Sequence, residues 1–437
     1  MTELEYAIKH GGLTPKQLLK KITRRGFGAS ILRGLIGVSA SRFLGNPSVA
    51  VASRLMSTAS QAVPDGDFTI AIIPDPQYLA ESCPDRGGRY YAAMMKWIVD
   101  NKNIVFTSST SSFAANIKAV VGVGDCVNST ADSNEYSNAE TAWKILDANG
   151  IAFTTPPGNH DYSGDISSRH GLGAQFKKGY FSAKHRSSVY GSGISLGDGD
   201  MAYWIGSHDS TGANTAVKFV ISGIKMLILA MDFFAGNAAW SWAHDVMMAN
   251  SDCECYITTH AWLTMHGTQY QRTDSYGPDF YSMAGAPYSN SAVEAWSTVG
   301  VNTWSNLFGV FSGHDIFAGT PSPGWYWQQV PVKSDSWRRQ TVHQVFTNSQ
   351  QIDLTCSMPV SQASGAGQTA SVFLLSRRPA LGLLEGRMIS TQSGDWFKSR
   401  SESFPGGTSW SASETPLFSV PFTGLQKERA LNPTQRS

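Results

Sequence analysis

The chain has 437 residues, enough for one large α/β domain with appendages or for two domains. Hydrophobic residues make up 41% and aromatics 11%, which excludes global disorder, and no apolar run is long enough for a conventional membrane-spanning helix. The net charge of +1 conceals a basic arm, with nine Lys and Arg against two acids before residue 65, on a mildly acidic body; that body argues against a stable nucleic-acid complex.

The arm comes first. Thr14-Pro15 before Lys16 reads as a capped helix start. Thr23-Arg24-Arg25-Gly26-Phe27 then resembles a twin-arginine export signal, with Ala50-Val51-Ala52 or Ser60-Gln61-Ala62 as cleavage sites. A basic interaction arm and an organellar transit peptide are the other readings of residues 1–64. The twin-arginine reading places the protein outside the cytoplasm; otherwise it is expected in the cytoplasm. Five cysteines, Cys83, Cys126, Cys253, Cys255 and Cys356, form no C-x-x-C pair, so a cysteine zinc site is not expected.

Beyond the arm, apolar runs alternate with helical periodicity. Phe68 to Ile73 is a buried strand ending at Pro74-Asp75-Pro76-Gln77. Tyr90 to Asn101 has helical spacing. Lys118 to Val123 is a strand ending at Gly124-Asp125, and Ala139 to Ala148 is helical. Ile151 to Thr155 runs into Gly158-Asn159-His160-Asp161. Val217 to Met231 splits at Ser222-Gly223 into a hairpin, and Trp240 to Ala249 is helical. Cys255 to Thr259 ends at His260, and Leu307 to Phe311 ends at Gly313-His314. Residues 320–371 are rich in Ser, Gln, Gly and Trp. Ser371 to Leu375 and Arg387 to Thr391 form a closing strand pair, and 396–437 reads as an irregular extension. The expected domain is 65–395, with its core at 68–320.

Five strands thus end in candidate metal ligands, where ligands bind in layered α/β folds. Hard oxygens with imidazoles suit Mn, Fe or Zn. An Asp in a Gly-Asp turn has two oxygens to share between two ions.

In this order the blocks resemble the calcineurin-like metallophosphoesterase superfamily, with its Asp-x-His, Gly-Asp-x-x, Gly-Asn-His-Asp/Glu, His and Gly-His-x-His motifs. Gly158-Asn159-His160-Asp161 matches the strongest block, and Asp75-x-Gln77 resembles a branch carrying Asp-x-Gln first. The resemblance implies an α/β fold, a four-layer α/β/β/α sandwich with ligands on loops at strand carboxyl ends. It implies hydrolysis of a phosphomonoester or phosphodiester by a metal-bound hydroxide, on a phosphorylated small-molecule, lipid or nucleotide substrate. Asp125, Asn159, His260 and His314 match one complete site. Asp75, Gln77, Asp125 and Asn128 match a weaker one, because Ile316 stands where the last His belongs. His160 matches the general acid, with Asp161 orienting it and raising its pKa. His266 is a candidate phosphate contact, and Asp315 a displaced ligand. Tyr270 to Tyr288 and Trp325 to Trp327 either shape a substrate cleft or pack their own loops. The alternative from another class is a degenerate binding or structural module.

Overall fold

The computed structural model describes residues 66–82, 87–107, 112–164, 166, 171–285, 287–315, 325–331, 341–348, 370–392, 396–397, 410–411 and 416–422. The basic arm, Cys83, Ile316 and Cys356 lie outside the described residues. Among the described residues, no helix is long and apolar enough to cross a membrane.

In chain order the strands are β1 (Phe68–Ile73), β2 (Val105–Thr107), β3 (Ser112–Ala114), β4 (Ile117–Gly122), β5 (Ala152–Thr154) and β6 (Ile194–Gly197). Then come β7 (Asp200–Ser207), β8 (Thr215–Ile221), β9 (Ile224–Met231), β10 (Glu254–Thr259), β11 (Leu307–Ser312) and β12 (Trp325–Pro331). The last are β13 (Thr341–Thr347), β14 (Ser371–Arg378), β15 (Leu383–Ser390), β16 (Trp396–Phe397), β17 (Trp410–Ser411) and β18 (Phe418–Pro421). One sheet has the order β17-β16-β15-β14-β1-β4-β5, with β18 also on β15; the other runs β12-β13-β11-β10-β9-β8-β7-β6. Each sheet has a parallel centre: β1, β4 and β5 in the first, β9, β10, β11 and β13 in the second.

Period-two alternation sorts the side chains into layers. Phe68, Ile70 and Ile72 of β1 meet Val217, Phe219, Ile228 and Tyr256 of the second sheet. Their neighbours Ala71 and Ile73 turn the other way, onto Met94, Met95 and Trp143 of the helices Arg89–Asp100 and Ser133–Ala148. On the second sheet, Leu227, Leu229 and Ile257 pack on Ala239, Trp240 and Ala243 of the helix Asn237–Ala249. The architecture is therefore α/β: helices, sheet, sheet, helices. Both central strand sets are covered on two faces, which is why they read as continuous apolar runs rather than alternating ones.

Most expected elements appear within one or two residues. The hairpin turn at Ser222-Gly223 has φ 51° and 77°, the left-handed pair a two-residue turn requires. Three differences have physical causes. The helix expected from Ala139 begins at Ser133, where the Asp132 carboxylate accepts the Asn134 amide; its first turn is polar and so lacks apolar spacing. Trp325 to Trp327 lie on strand β12, with Trp327 stacked on Phe418 at 4.6 Å. Phe418–Pro421, expected to be irregular, pairs with β15. A four-residue run, with only Phe418 and Val420 apolar and ending in Pro, is too short to mark a strand.

A buried ion pair joins the sheets. Arg377 of β14 donates from Nη1 to Glu254 Oε2 of β10, and the Tyr256 hydroxyl donates to the same oxygen at 3.2 Å. Both charged side chains are buried. Removing one partner leaves a buried charge, so Arg377→Met should cost about 3–5 kcal/mol, and the double change with Glu254→Gln should recover most of it. Urea unfolding of both variants checks this.

Candidate metal centre

The candidate ligands sit on turns that leave β1, β4, β5, β10 and β11. Three take the left-handed backbone that only glycine adopts cheaply: Asp75 at φ 23°, Asp125 at φ 49° and His314 at φ 77°. Such strain clusters at sites where the side-chain direction matters more than local stability. Neighbouring glycines make room. A Cβ on Gly158 would lie 2.1 Å from Asp125 Oδ1, and one on Gly124 would lie 2.9 Å from His260 Nδ1.

The centre is organised by His260, which is fully buried. Its Nδ1 lies 2.8 Å from the Val123 carbonyl oxygen, so that nitrogen carries the proton and donates. The lone pair is then on Nε2. Around Nε2 stand Asp125 Oδ2 at 3.1 Å, Asn159 Oδ1 at 3.0 Å and His314 Nδ1 at 3.1 Å. The other His314 nitrogen, Nε2, faces the Tyr276 carbonyl at 3.2 Å and donates to it. Burial, then repulsion from His260, pushes the His314 pKa down to about 3, so its Nδ1 is also a bare lone pair at neutral pH. Four electron-rich atoms thus converge with too few protons to separate them.

A cation resolves that conflict. Atoms held about 2.1 Å from one ion at right angles to one another are about 3.0 Å apart, close to the spacing seen. Asp75, Asp125 and His260 each present a ligand atom, and these lie within 4.8 Å of one another. The donor set fits a divalent metal at Asp125, Asn159, His260 and His314, with Asp75 beside it. Burial alone would raise the Asp125 carboxyl. The imidazoles of His260 and His160 outweigh it and hold Asp125 below the usual carboxylate range.

Gln77 opens a short helix and is buried, and its Oε1 has no hydrogen-bond partner among the described residues. An orphaned amide oxygen suits a second cation. The Asn128 side chain instead donates to Glu81 Oε1 at 3.0 Å. Its backbone carbonyl does the unexpected work: it accepts from His160 Nδ1 at 2.8 Å. His160 is half-buried, and its amide donates to Asp125 Oδ1 at 2.8 Å.

Asp161 does not orient the His160 ring, contrary to expectation. Its Oδ2 accepts the amides of Gly158 at 2.9 Å and Cys126 at 3.1 Å, so it braces the two ligand turns against each other. Burial, then repulsion from Asp125, raises its pKa far above the usual range. Asp315 is likewise turned away, accepting the Met265 amide at 2.7 Å. His266 is exposed, its amide donating to Thr264 Oγ1 at 3.3 Å.

Two contributors were not legible in sequence. Asn348, just after β13, donates to Asp75 Oδ2 at 3.2 Å. Glu135 accepts the amides of Asn128 and Ser129, each at 2.7 Å, and so fixes the carbonyl that holds His160. Neither sits in a motif, and their partners are distant in sequence or backbone atoms. Phe233 lines both imidazoles, 5.6 Å from His260 and 5.1 Å from His314.

No protein-family model matches the chain. A curated relative, the uncharacterized protein YvnB of Bacillus subtilis (strain 168), is 25% identical over 202 residues, 46% of this chain. The chain covers only 13% of that relative's length. Among solved structures, the calcineurin-like phosphoesterase YfkN from Bacillus subtilis aligns with a TM-score of 0.31 and 10% identity, covering 85% of this chain and 97% of that one.

The packing at Gly158 gives a direct test. Gly158→Ala must displace the Asp125 carboxylate, so Mn affinity should fall at least about tenfold. The Mn-induced rise in melting temperature, measured for both proteins, reads that loss.

Proposed function

We propose that this chain is a metal-dependent phosphoesterase of the calcineurin-like superfamily, acting on a phosphomonoester or phosphodiester. The observation that supports it is the convergence of Asp125, Asn159 and His314 on the bare Nε2 of His260, with Asp75 alongside. Asp125, Asn159, His260 and His314 would hold a firm divalent ion. Asp75, Gln77 and the shared Asp125 would hold a weaker one, because Gln77 is neutral. Bound there, such ions activate water and neutralise charge on a phosphoryl group.

The chain's own contribution is to place and protonate. Asp125 Oδ2 faces His260 while Oδ1 accepts the His160 amide, so the carboxylate that would hold an ion also positions the proposed proton donor. Nδ1 of His160 is committed to the Asn128 carbonyl. That leaves Nε2 to deliver a proton to the leaving oxygen, as a general acid. Asp161 keeps the Gly158 and Cys126 turns together by accepting both amides. No arginine or lysine patch is needed, since the cations themselves attract phosphate.

A degenerate binding module is the competing reading, favoured by the uncharged Gln77 in the first block. Metal analysis of the purified full chain, with turnover of generic mono- and diesters after Mn or Fe loading, separates the two. Asp125→Ala should lower kcat by more than about a thousandfold and His160→Asn by about a hundredfold or more, most strongly for poor leaving groups. Turnover that survives Asp125→Ala sinks the mechanism. Less than one metal per chain with no turnover favours the binding module. For residues 1–64 we propose an export leader; N-terminal sequencing of protein from an extracytoplasmic fraction should find a start after Ala52 or Ala62, and an intact Met1 counts against it.

A further inference from the structure

The segment that anchors His314 also carries the largest exposed rings near the centre. Tyr276 accepts the His314 Nε2 proton through its carbonyl, and its ring lies 6.2 Å from the His314 ring. Tyr276 meets Phe280 edge-on at 4.9 Å, and Phe280 meets Tyr281 edge-on at 5.0 Å. Tyr281 returns to the centre, 6.1 Å from His314 and 5.2 Å from Phe233. Contacting aromatic rings therefore run from the imidazoles to solvent, where Phe280 is 60% and Tyr276 39% exposed.

These rings are held out rather than left out. Tyr276 and Ser282 both adopt positive φ, at 62° and 54°. Arg272 staples the segment: it binds Glu294 through Nε and Nη2, each at 3.0 Å, the Ser289 carbonyl through Nη2 at 2.8 Å and the Met283 carbonyl through Nη1 at 3.3 Å. Arg272 is the only Lys or Arg from Ala261 to Ser291. A ligand here meets rigid π-faces, with no basic cluster of the kind that draws a protein to an anionic membrane.

Resting on the phosphoesterase reading, we propose that Tyr276, Phe280 and Tyr281 form a stacking subsite for the substrate's organic group, and that this group is a planar aromatic ring, a nucleobase or a simple aryl. Stacking on a rigid aromatic platform favours planar groups over alkyl chains.

The test uses phosphonates, which bind without being hydrolysed. The Mn-loaded full chain is titrated calorimetrically with phenylphosphonate, hexylphosphonate and the phosphonate analogue of AMP. The aromatic ligands should bind about tenfold more tightly than hexylphosphonate, and Phe280→Ala should abolish that preference while Phe280→Trp keeps it. A tighter AMP analogue identifies a nucleobase, and parity with phenylphosphonate a simple aryl group; both support the subsite. Equal binding of hexyl and phenyl ligands, binding of none of them, or a preference that survives Phe280→Ala, overturns it. The two readings fail separately. Aromatic preference without ester turnover would refute the hydrolase and keep the subsite. Turnover without the preference would do the reverse.

Discussion

The centre depends on one contact between the two sheets: the hydrogen bond from His260 Nδ1 to the Val123 carbonyl. His260 follows β10 of one sheet, and Val123 follows β4 of the other. Two residues before His260, Thr258 Oγ1 donates to the Gly122 carbonyl at 2.7 Å. These two bonds clamp the strand ends with no apolar layer between them, whereas further along the same strands Tyr256 and Val121 belong to the intersheet core. Close approach needs glycine on the β4 side. A Cβ on Gly124 would lie 2.9 Å from His260 Nδ1. The clamp fixes the tautomer of His260 and aims Nε2 at Asp125, Asn159 and His314. If the sheets parted there, the ligand set would disperse even with every ligand residue intact.

The same region concentrates unfavourable features. Asp75, Asp125 and His314 are buried at positive φ, and Phe234 joins them at 47°. Each strained residue costs of order 1–3 kcal/mol, and a buried carboxylate costs more unless it is neutralised or bonded. Asp161 meets that demand by accepting the Gly158 and Cys126 amides, Asp125 by accepting the His160 amide. The stabilising counterweight lies elsewhere, in three apolar clusters that include Trp143, Trp240 and Trp262. A metal ion would remove part of the conflict directly, so binding and folding should be coupled at this centre.

How far this was legible in sequence follows from where each instruction is written. Apolar runs closed by Gly-Asp, Gly-Asn-His-Asp or Gly-His place polar groups at the ends of parallel strands, so β1, β4, β10 and β11 and the polar residues that end them could be read directly. β12 could not, because its side chains alternate in exposure and Gln328 and Gln329 hide the strand. The role of Asp161 was misread because residues adjacent in sequence suggest contact. In the actual turn its carboxylate points to backbone amides while the neighbouring ring points to a carbonyl. Backbone carbonyls leave no trace in a sequence, so the Asn128 and Tyr276 partners of the two histidines were invisible.

Those two carbonyls give the centre an asymmetry. His160 is held by Asn128, which Glu135 locks from the start of a long helix packed into the first helical layer. His314 is held by Tyr276, on a stapled but strained segment with exposed rings. His160, the proposed proton donor, thus rests on the helical layer, while His314, a proposed ligand, rests on a segment with exposed rings. Any movement of the Tyr276 backbone changes the direction of the His314 ring, and with it the lone pair offered to a cation. The aromatic rim and the His314 ring thus touch through the Tyr276 hydrogen bond and through the Tyr276 and Tyr281 rings.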